Sequence, residues 1–251
     1  MKALISIATM LTVIAVLAIS IPVSASNTDS RIESSAKKSY VFKTYLQGDD
    51  INIQSMDGVV TLNGTVKDET HKSLAQETVA GLPGVKSVDN RLEVKGEIPA
   101  KSSDAWLTTK VKMTLLFHRS VSAGTTEVDV HDGVVTLSGD TASAAKKELT
   151  TEYAKDVEGV KDVINEMIVK KNAKKTRTEG RKIDDASITA LVKMTLLYHR
   201  STSALNTKVE TNRGVVKLIG KVKNAGEISL ATKYASDVNG VKSVNNRMTI
   251  E

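Results

Sequence analysis

The chain has 251 residues, 40% of them hydrophobic and 25% charged, which is the composition of a folded globular protein and excludes wholesale disorder. It contains no cysteine, which excludes a disulfide framework and a lipid-modified N-terminal cysteine. The formal charge of +6 favours polyanionic partners, and the N-terminus indicates which kind.

Lys2 gives a basic start, Ala3 to Ile21 is almost wholly apolar, Pro22 interrupts it, and Val23-Ser24-Ala25 supplies small residues for cleavage after Ala25. Residues 1–25 read as a secretory signal peptide. The competing reading is a retained anchor, because the apolar run is close to the ~20 residues that span a bilayer. Export to a periplasmic compartment argues against nucleic acid as a partner. It favours anionic lipid, polysaccharide or other envelope proteins.

Beyond the leader the chain repeats itself. IQSMDGVVTLNG (Ile53 to Gly64), VDVHDGVVTLSG (Val128 to Gly139) and VETNRGVVKLIG (Val209 to Gly220) are one motif. A second set follows at constant spacing: LPGVKSVDNRLEV (Leu82 to Val94), VEGVKDVINEMIV (Val157 to Val169) and VNGVKSVNNRMTI (Val238 to Ile250). Extended upstream, the register places Asp29, Asp104 and Asp185 at equivalent positions and defines three units, 29–94, 104–169 and 185–250. Linkers 95–103 and 170–184 join them.

Each unit opens on an amphipathic helix. From Asp104, an acidic N-cap candidate, Leu107, Val111, Leu115 and His118 share one stripe, as do Ile188, Val192, Leu196 and His199, with the helix ending near Arg119 and Arg200. Alternating Val128 and Val130, then Asp132-Gly133, then Val135 and Leu137 predict a β-hairpin, because Asp-Gly supplies the positive φ angles of a type I′ turn. Asp57-Gly58 fits as well and Arg213-Gly214 less well. Leu149, Tyr153 and Val157 recur at helical spacing, as do Leu230, Tyr234 and Val238. Gly159 ends this second helix, and Val160 to Val169 is the third strand. The class is α+β: three tandem α-β-β-α-β units, each with two helices packed on a three-stranded mixed sheet.

The stretch Gly133-Val134-Val135-Thr136-Leu137-Ser138-Gly139 with Gly159-Val160-Lys161-Asp162-Val163-Ile164-Asn165, and its counterparts in the other units, resembles the BON domain family. The resemblance implies an envelope protein of osmotic or envelope stress, and a module that binds phospholipid or attaches to membranes.

No catalytic set stands out. The histidines are His71, His118, His131 and His199, and none has a second ligand at the spacing a helical metal site needs. A G-x-S-x-G elbow, a P-loop and a dinucleotide fingerprint are all missing. The expectation is no enzyme, no metal and no cofactor. His118 and His199, at the end of the apolar stripe, read as histidines bonded to helix-terminal carbonyls.

Charge is uneven. Unit one carries −2, unit two −4, and unit three with the terminal Glu251 +5. The 170–184 linker adds another +5 through Lys170, Lys171, Lys174, Lys175, Arg177, Arg181 and Lys182 against two acidic residues. It reads either as a solvated linker or as a patch that holds an anionic surface, where each cation contributes ~1 kcal/mol.

The first helix of units two and three has a second apolar face. Trp106, Met113, Leu116 and Phe117 lie opposite the core stripe, beside Lys112 and Arg119. Met194, Leu197 and Tyr198 repeat this beside Lys193 and Arg200. Each large apolar side chain taken from water contributes about 1.5 to 3 kcal/mol, so a small domain gains by covering this face. Unit two packing against unit three as a pseudo-twofold pair, a lipid surface, and folding back over the unit's own core are the three covers open to it. A recent duplication would also leave the two segments alike without any functional demand. The expected function is non-enzymatic binding of anionic phospholipid under osmotic or envelope stress. The alternative is a protein-interaction module for envelope proteins without lipid contact, and the oligomeric state is open.

Overall fold

The computed structural model describes residues 27–96, 99–170, 182–202 and 206–251. The leader, and Lys171, Lys174, Lys175, Arg177 and Arg181 of the basic linker, lie outside the described residues.

Unit one runs α1 (Asn27–Lys38), α2 (Tyr40–Thr44), β1 (Asp50–Met56), β2 (Val59–Val66), α3 (Glu69–Ala80) and β3 (Ser87–Val94). Unit two runs α4 (Asp104–Phe117), β4 (Thr126–His131), β5 (Val134–Thr141), α5 (Ala144–Lys155), β6 (Asp162–Asn165) and β7 (Ile168–Val169). Unit three runs α6 (Asp185–Tyr198), β8 (Lys208–Asn212), β9 (Val215–Ile219), β10 (Lys221–Val222), α7 (Ala225–Asp237), β11 (Ser243–Asn246) and β12 (Thr249–Ile250). In each unit the first two strands form an antiparallel hairpin, and the last strand returns through the second helix to pair parallel with the hairpin's second strand. The mixed sheet buries Val128, Val130, Val135 and Leu137 beneath Leu107, Val111, Leu115 and Tyr153 in unit two.

The repeated aspartates have a different task from the one their position suggests. Ser103 and Asp184 are the N-caps of α4 and α6. Asp104, one residue inside, instead accepts the backbone N–H groups of Asp132 and Gly133 at 2.8 and 2.9 Å. Asp185 does the same for Arg213 and Gly214 at 2.7 and 2.8 Å, and Asp29 for Asp57 and Gly58 at 3.1 and 3.0 Å. A carboxylate at the start of the first helix therefore staples the hairpin turn to it. The turns themselves have the expected geometry: Asp132 and Gly133 have φ of 50° and 79°, and Arg213 and Gly214, the poorer match by sequence, have 51° and 81°.

The asparagine that closes the G-V-x-x-V-x-N stretch also has a physical reason. Asn165 donates to the Lys147 carbonyl and the Thr151 hydroxyl of α5, and its own carbonyl accepts Met167 N–H at 3.0 Å. Asn246 repeats the pattern with Ile228, Thr232 and Met248. The third strand breaks here, into β6 and β7 in unit two and into β11 and β12 in unit three, where sequence periodicity predicts one continuous strand.

Unit one departs from its sisters at the first helix. Ser39 stops α1 and caps α2, so the helix is broken where the others are continuous. The broken end meets unit three: Tyr40 N–H donates to Asp184 at 2.8 Å and Val41 N–H to the Ser187 hydroxyl at 3.1 Å. Helix α3 packs along α6, with Lys193 paired to Glu77 at 2.7 Å and the Tyr198 hydroxyl donating to Thr70 at 2.9 Å.

Candidate functional site at the junction of the units

Helices α4 and α6 end on Phe117 and Tyr198, and the next residues, His118 and His199, turn to extended backbone with ψ of 133° and 122°. Each chain then runs antiparallel to the end of the other unit's second helix. Arg119 N–H donates to the Asp237 carbonyl at 2.9 Å, and Asn239 N–H to the Phe117 carbonyl at 3.0 Å. Reciprocally, Arg200 N–H donates to Asp156 at 2.6 Å and Glu158 N–H to Tyr198 at 3.3 Å. Units two and three thus meet through one self-complementary exchange of main chain, the arrangement of an isologous pair built within a single polypeptide.

The side chains follow the same twofold logic. His118 and His199 are 2% and 0% exposed, and their Nε2 atoms are 3.0 Å apart. Each ring stacks on a tyrosine of its own unit: His118 on Tyr153 at 4.0 Å between centroids, and His199 on Tyr234 at 3.8 Å. The Tyr153 hydroxyl donates to Asp237 at 2.9 Å and that of Tyr234 to Asp156 at 2.7 Å. Ser120 and Ser201 donate to the same two carboxylates. His118 Nδ1 approaches Asp237 at 3.3 Å and His199 Nδ1 approaches Asp156 at 3.2 Å, both without the alignment of a well-formed hydrogen bond.

Burial holds both imidazoles below the ordinary histidine value, against the opposing pull of the facing aspartates. Burial would raise Asp156 and Asp237, but donors from histidine, serine and tyrosine outweigh it and keep both carboxyls below the usual range. Burial and the adjacent carboxylates push the phenols of Tyr153 and Tyr234 upward, so both remain donors. The cluster is a sealed acid–base network that joins two units. Among the described residues no group of three or more histidine, cysteine or acidic side chains is placed to hold a metal.

The residues singled out on the second helical face separate into covered and uncovered. Met113, Phe117, Met194 and Tyr198 are 7%, 0%, 2% and 8% exposed. Tyr45 of unit one packs edge-on against Phe117 at 5.6 Å, while Tyr198 lies against unit one through Thr70. Unit one therefore covers part of this face, at Phe117 and Tyr198. Leu116 and Leu197 stay 37% and 51% exposed, and Lys112 is exposed. Lys193 is engaged by Glu77. Arg119 reaches the carbonyls of Val241 and Ser236 at 2.9 and 2.6 Å, and Arg200 that of Lys155 at 2.7 Å, each gripping the C-terminal end of the facing unit's second helix. Trp106 is half-buried beneath the Lys110 ammonium, 4.4 Å from its ring, in a cavity of about 190 Å³ where Asp68, Glu69 and Tyr198 also meet. Of the linker cations described, Lys170 pairs with Asp140 at 2.8 Å.

The histidine reading from sequence needs correction. The backbone N–H groups of His118 and His199 donate to the Leu115 and Thr195 carbonyls, but their imidazoles turn away from the helix and face each other across the junction. A signal for this was present. His-Arg-Ser and a later Tyr-Ala-x-Asp occur at 118–120 and 153–156 and again at 199–201 and 234–237, whereas unit one has Lys43, Thr44, Tyr45, Thr78 and Gly81 at those positions. Residues shared by two units and missing from the third mark a contact between the two.

Three two-layer α+β units, the second and third joined through their helix ends, define a tandem-repeat module of small mixed sheets. The chain belongs to the BON domain family, whose model matches residues 28–96, 103–171 and 184–251. It is 37% identical over 146 residues to osmotically-inducible protein Y of Escherichia coli strain K12, covering 57% of this chain and 73% of that protein. It is 33% identical over 116 residues to the outer membrane lipoprotein DolP of Haemophilus influenzae, covering 45% of this chain and 60% of that one. CdsD, a structural protein of the type III secretion system of Chlamydia trachomatis, aligns over 88% of this chain and 90% of its own at 16% identity. The TM-score is 0.24, too low to bear on how the units are placed.

Proposed function

We propose that this chain is a non-enzymatic envelope protein that associates peripherally with anionic phospholipid surfaces and acts in osmotic or envelope stress. The stress role rests on the likeness to osmotically-inducible protein Y, and the membrane setting on the likeness to an outer membrane lipoprotein. Among the described residues no helix is long and apolar enough to cross a membrane.

The observation that carries the lipid reading is the charge on unit three. Lys208, Arg213, Lys221, Lys223, Lys242 and Arg247 are exposed on its sheet and loops, with Val215 and Ile250 at 43% and 53% exposure among them. Cations around a few wet apolar side chains suit an anionic headgroup layer, and the basic linker precedes the same unit. The lipid surface of this proposal is therefore the sheet side of unit three with the linker, rather than the covered helical face.

Co-sedimentation of the leaderless chain with phosphatidylglycerol vesicles tests it. Binding at low salt, lost at high salt, is expected. Lys223→Glu with Lys242→Glu and Arg247→Glu should weaken it by a factor of about 100 or more, at ~1 kcal/mol per cation lost. Indifference to anionic vesicles at low salt, or unchanged binding by the triple variant, overturns the proposal. The protein-interaction alternative has its own observation: Ile164, Ile168 and Val169 are 50%, 60% and 44% exposed along the outer strand of acidic unit two, which suits an apolar protein edge better than an anionic lipid.

A further inference from the structure

The paired histidines play no part in the membrane reading, and their protons can be counted. Three contacts need one proton each: His118 Nδ1 to Asp237, Nε2 to Nε2, and His199 Nδ1 to Asp156. Two neutral imidazoles carry two N–H groups, so one of the three contacts lacks its proton. One added proton fills all three positions and places one imidazolium between two carboxylates. A second sets N–H against N–H across 3.0 Å and puts two like charges together where both histidine side chains are 0% exposed.

Each ring has one carboxylate that favours its charged form, Asp237 for His118 and Asp156 for His199, and burial outweighs both. Helix α7 presents Asp237, Tyr234 and Lys233, and α5 with its C-cap presents Tyr153, Glu152 and Asp156. Lys233 opposes protonation of His199 and is paired with Glu152 at 3.0 Å. Arg119 and Arg200 bring further positive charge beside the rings while holding carbonyls of the facing unit.

We propose that the histidine pair is an acid-sensitive latch between units two and three, which accepts at most one added proton and parts the two units at the second. The sign follows from linkage. A separated histidine titrates near 6.5, whereas burial holds both below that value in the junction. Below pH 6.5 the separated form binds more protons, so acid favours separation, and above 6.5 the latch is unaffected. A difference of one proton lowers the ratio of joined to separated molecules about tenfold per pH unit, and a difference of two about a hundredfold.

The absence of cysteine makes the test clean. Nitroxide labels on Glu127→Cys and Lys208→Cys, both exposed strand positions in different units, report the distance between units two and three by pulsed dipolar spectroscopy from about pH 8 to about pH 5, a span that brackets the free-histidine value. One distance at the alkaline end, joined below about pH 6.5 by a longer one that grows about tenfold or more per pH unit with unchanged far-UV circular dichroism, is the expected result. His118→Gln with His199→Gln should keep the single distance throughout. Asp156→Asn with Asp237→Asn should move the onset to higher pH. A single distance down to the acid end in the parent overturns the latch. So does parting of the glutamine variant at the same pH, or loss of helix signal together with the distance. Should the glutamine variant not fold, the imidazole nitrogens of the parent decide: titration of both histidines in step with the distance supports the latch, and two independent titrations overturn it.

Discussion

Phe117→Ala and Leu116→Ala are adjacent substitutions on what a helical wheel treats as one apolar face, and their consequences should differ sharply. Phe117 is 0% exposed and sits edge-on to Tyr45 of unit one, so its ring is buried between units. Truncation to alanine removes the transfer energy of the ring and leaves a cavity that only partly collapses, at a cost of about 3–5 kcal/mol. Leu116 is 37% exposed, and its truncation should cost about 1–2 kcal/mol. The chain has one tryptophan, Trp106 in unit two, so urea unfolding followed by its fluorescence reads the unit concerned. Equal losses, or the larger loss at Leu116, would refute the claim that unit one covers this part of the face. So would a Phe117→Ala chain of parental stability that no longer binds vesicles, because the ring would then face lipid.

Three further substitutions probe the framework. Asp104→Asn should loosen the unit-two hairpin at neutral pH. Hydrogen bonds from Gly133 and Asp132 hold this carboxyl below its ordinary 3.8, so its contribution is present above that value. The difference from the parent should shrink as pH falls through the lowered value in an acid-unfolding series. Gly139→Ala should destabilise unit two strongly, because φ is +108° and an added Cβ would sit 2.0 Å from the Thr125 carbonyl oxygen. Hydrogen exchange across β4 and β5 would show the loss. Tyr153→Phe removes a donor from the buried Asp237 carboxylate and should cost about 1.5–3 kcal/mol in urea unfolding. Leu149→Ala, at a half-buried position one turn earlier on the same helix, is the control and should cost less.

Much of the fold was legible because it is local. Alternation around Asp-Gly, spacing of i, i+4 in two helices, and recurrence in three units all follow from backbone periods that a sequence displays directly. The misreading of Asp104 as a cap is instructive: an aspartate at a helix start satisfies capping and turn-stapling equally well on paper, and only the hairpin's position, 28 residues on, selects between them. The break after Asn165 was hidden because the equivalent Asn90 of unit one makes the same contacts within an unbroken β3, so the shared asparagine does not mark it.

The candidate site was legible only in part. That Met113, Phe117, Met194 and Tyr198 needed a cover could be argued from burial energy, but the identity of the cover depends on contacts such as Tyr45 with Phe117, which no periodicity encodes. The histidine junction did leave a trace, in residues common to units two and three and replaced in unit one. Reading it required comparing the units for differences rather than for likeness.

The junction itself can be observed directly. In a nitrogen-15-labelled chain at slightly alkaline pH, a scalar coupling across the hydrogen bond between His118 Nε2 and His199 Nε2 should be detectable, since those atoms are 3.0 Å apart. Both rings should titrate below 6.5 because burial disfavours their charged forms. Two histidines with no mutual coupling, each titrating at the value of a solvent-exposed imidazole, would contradict the joining of units two and three on which the account rests.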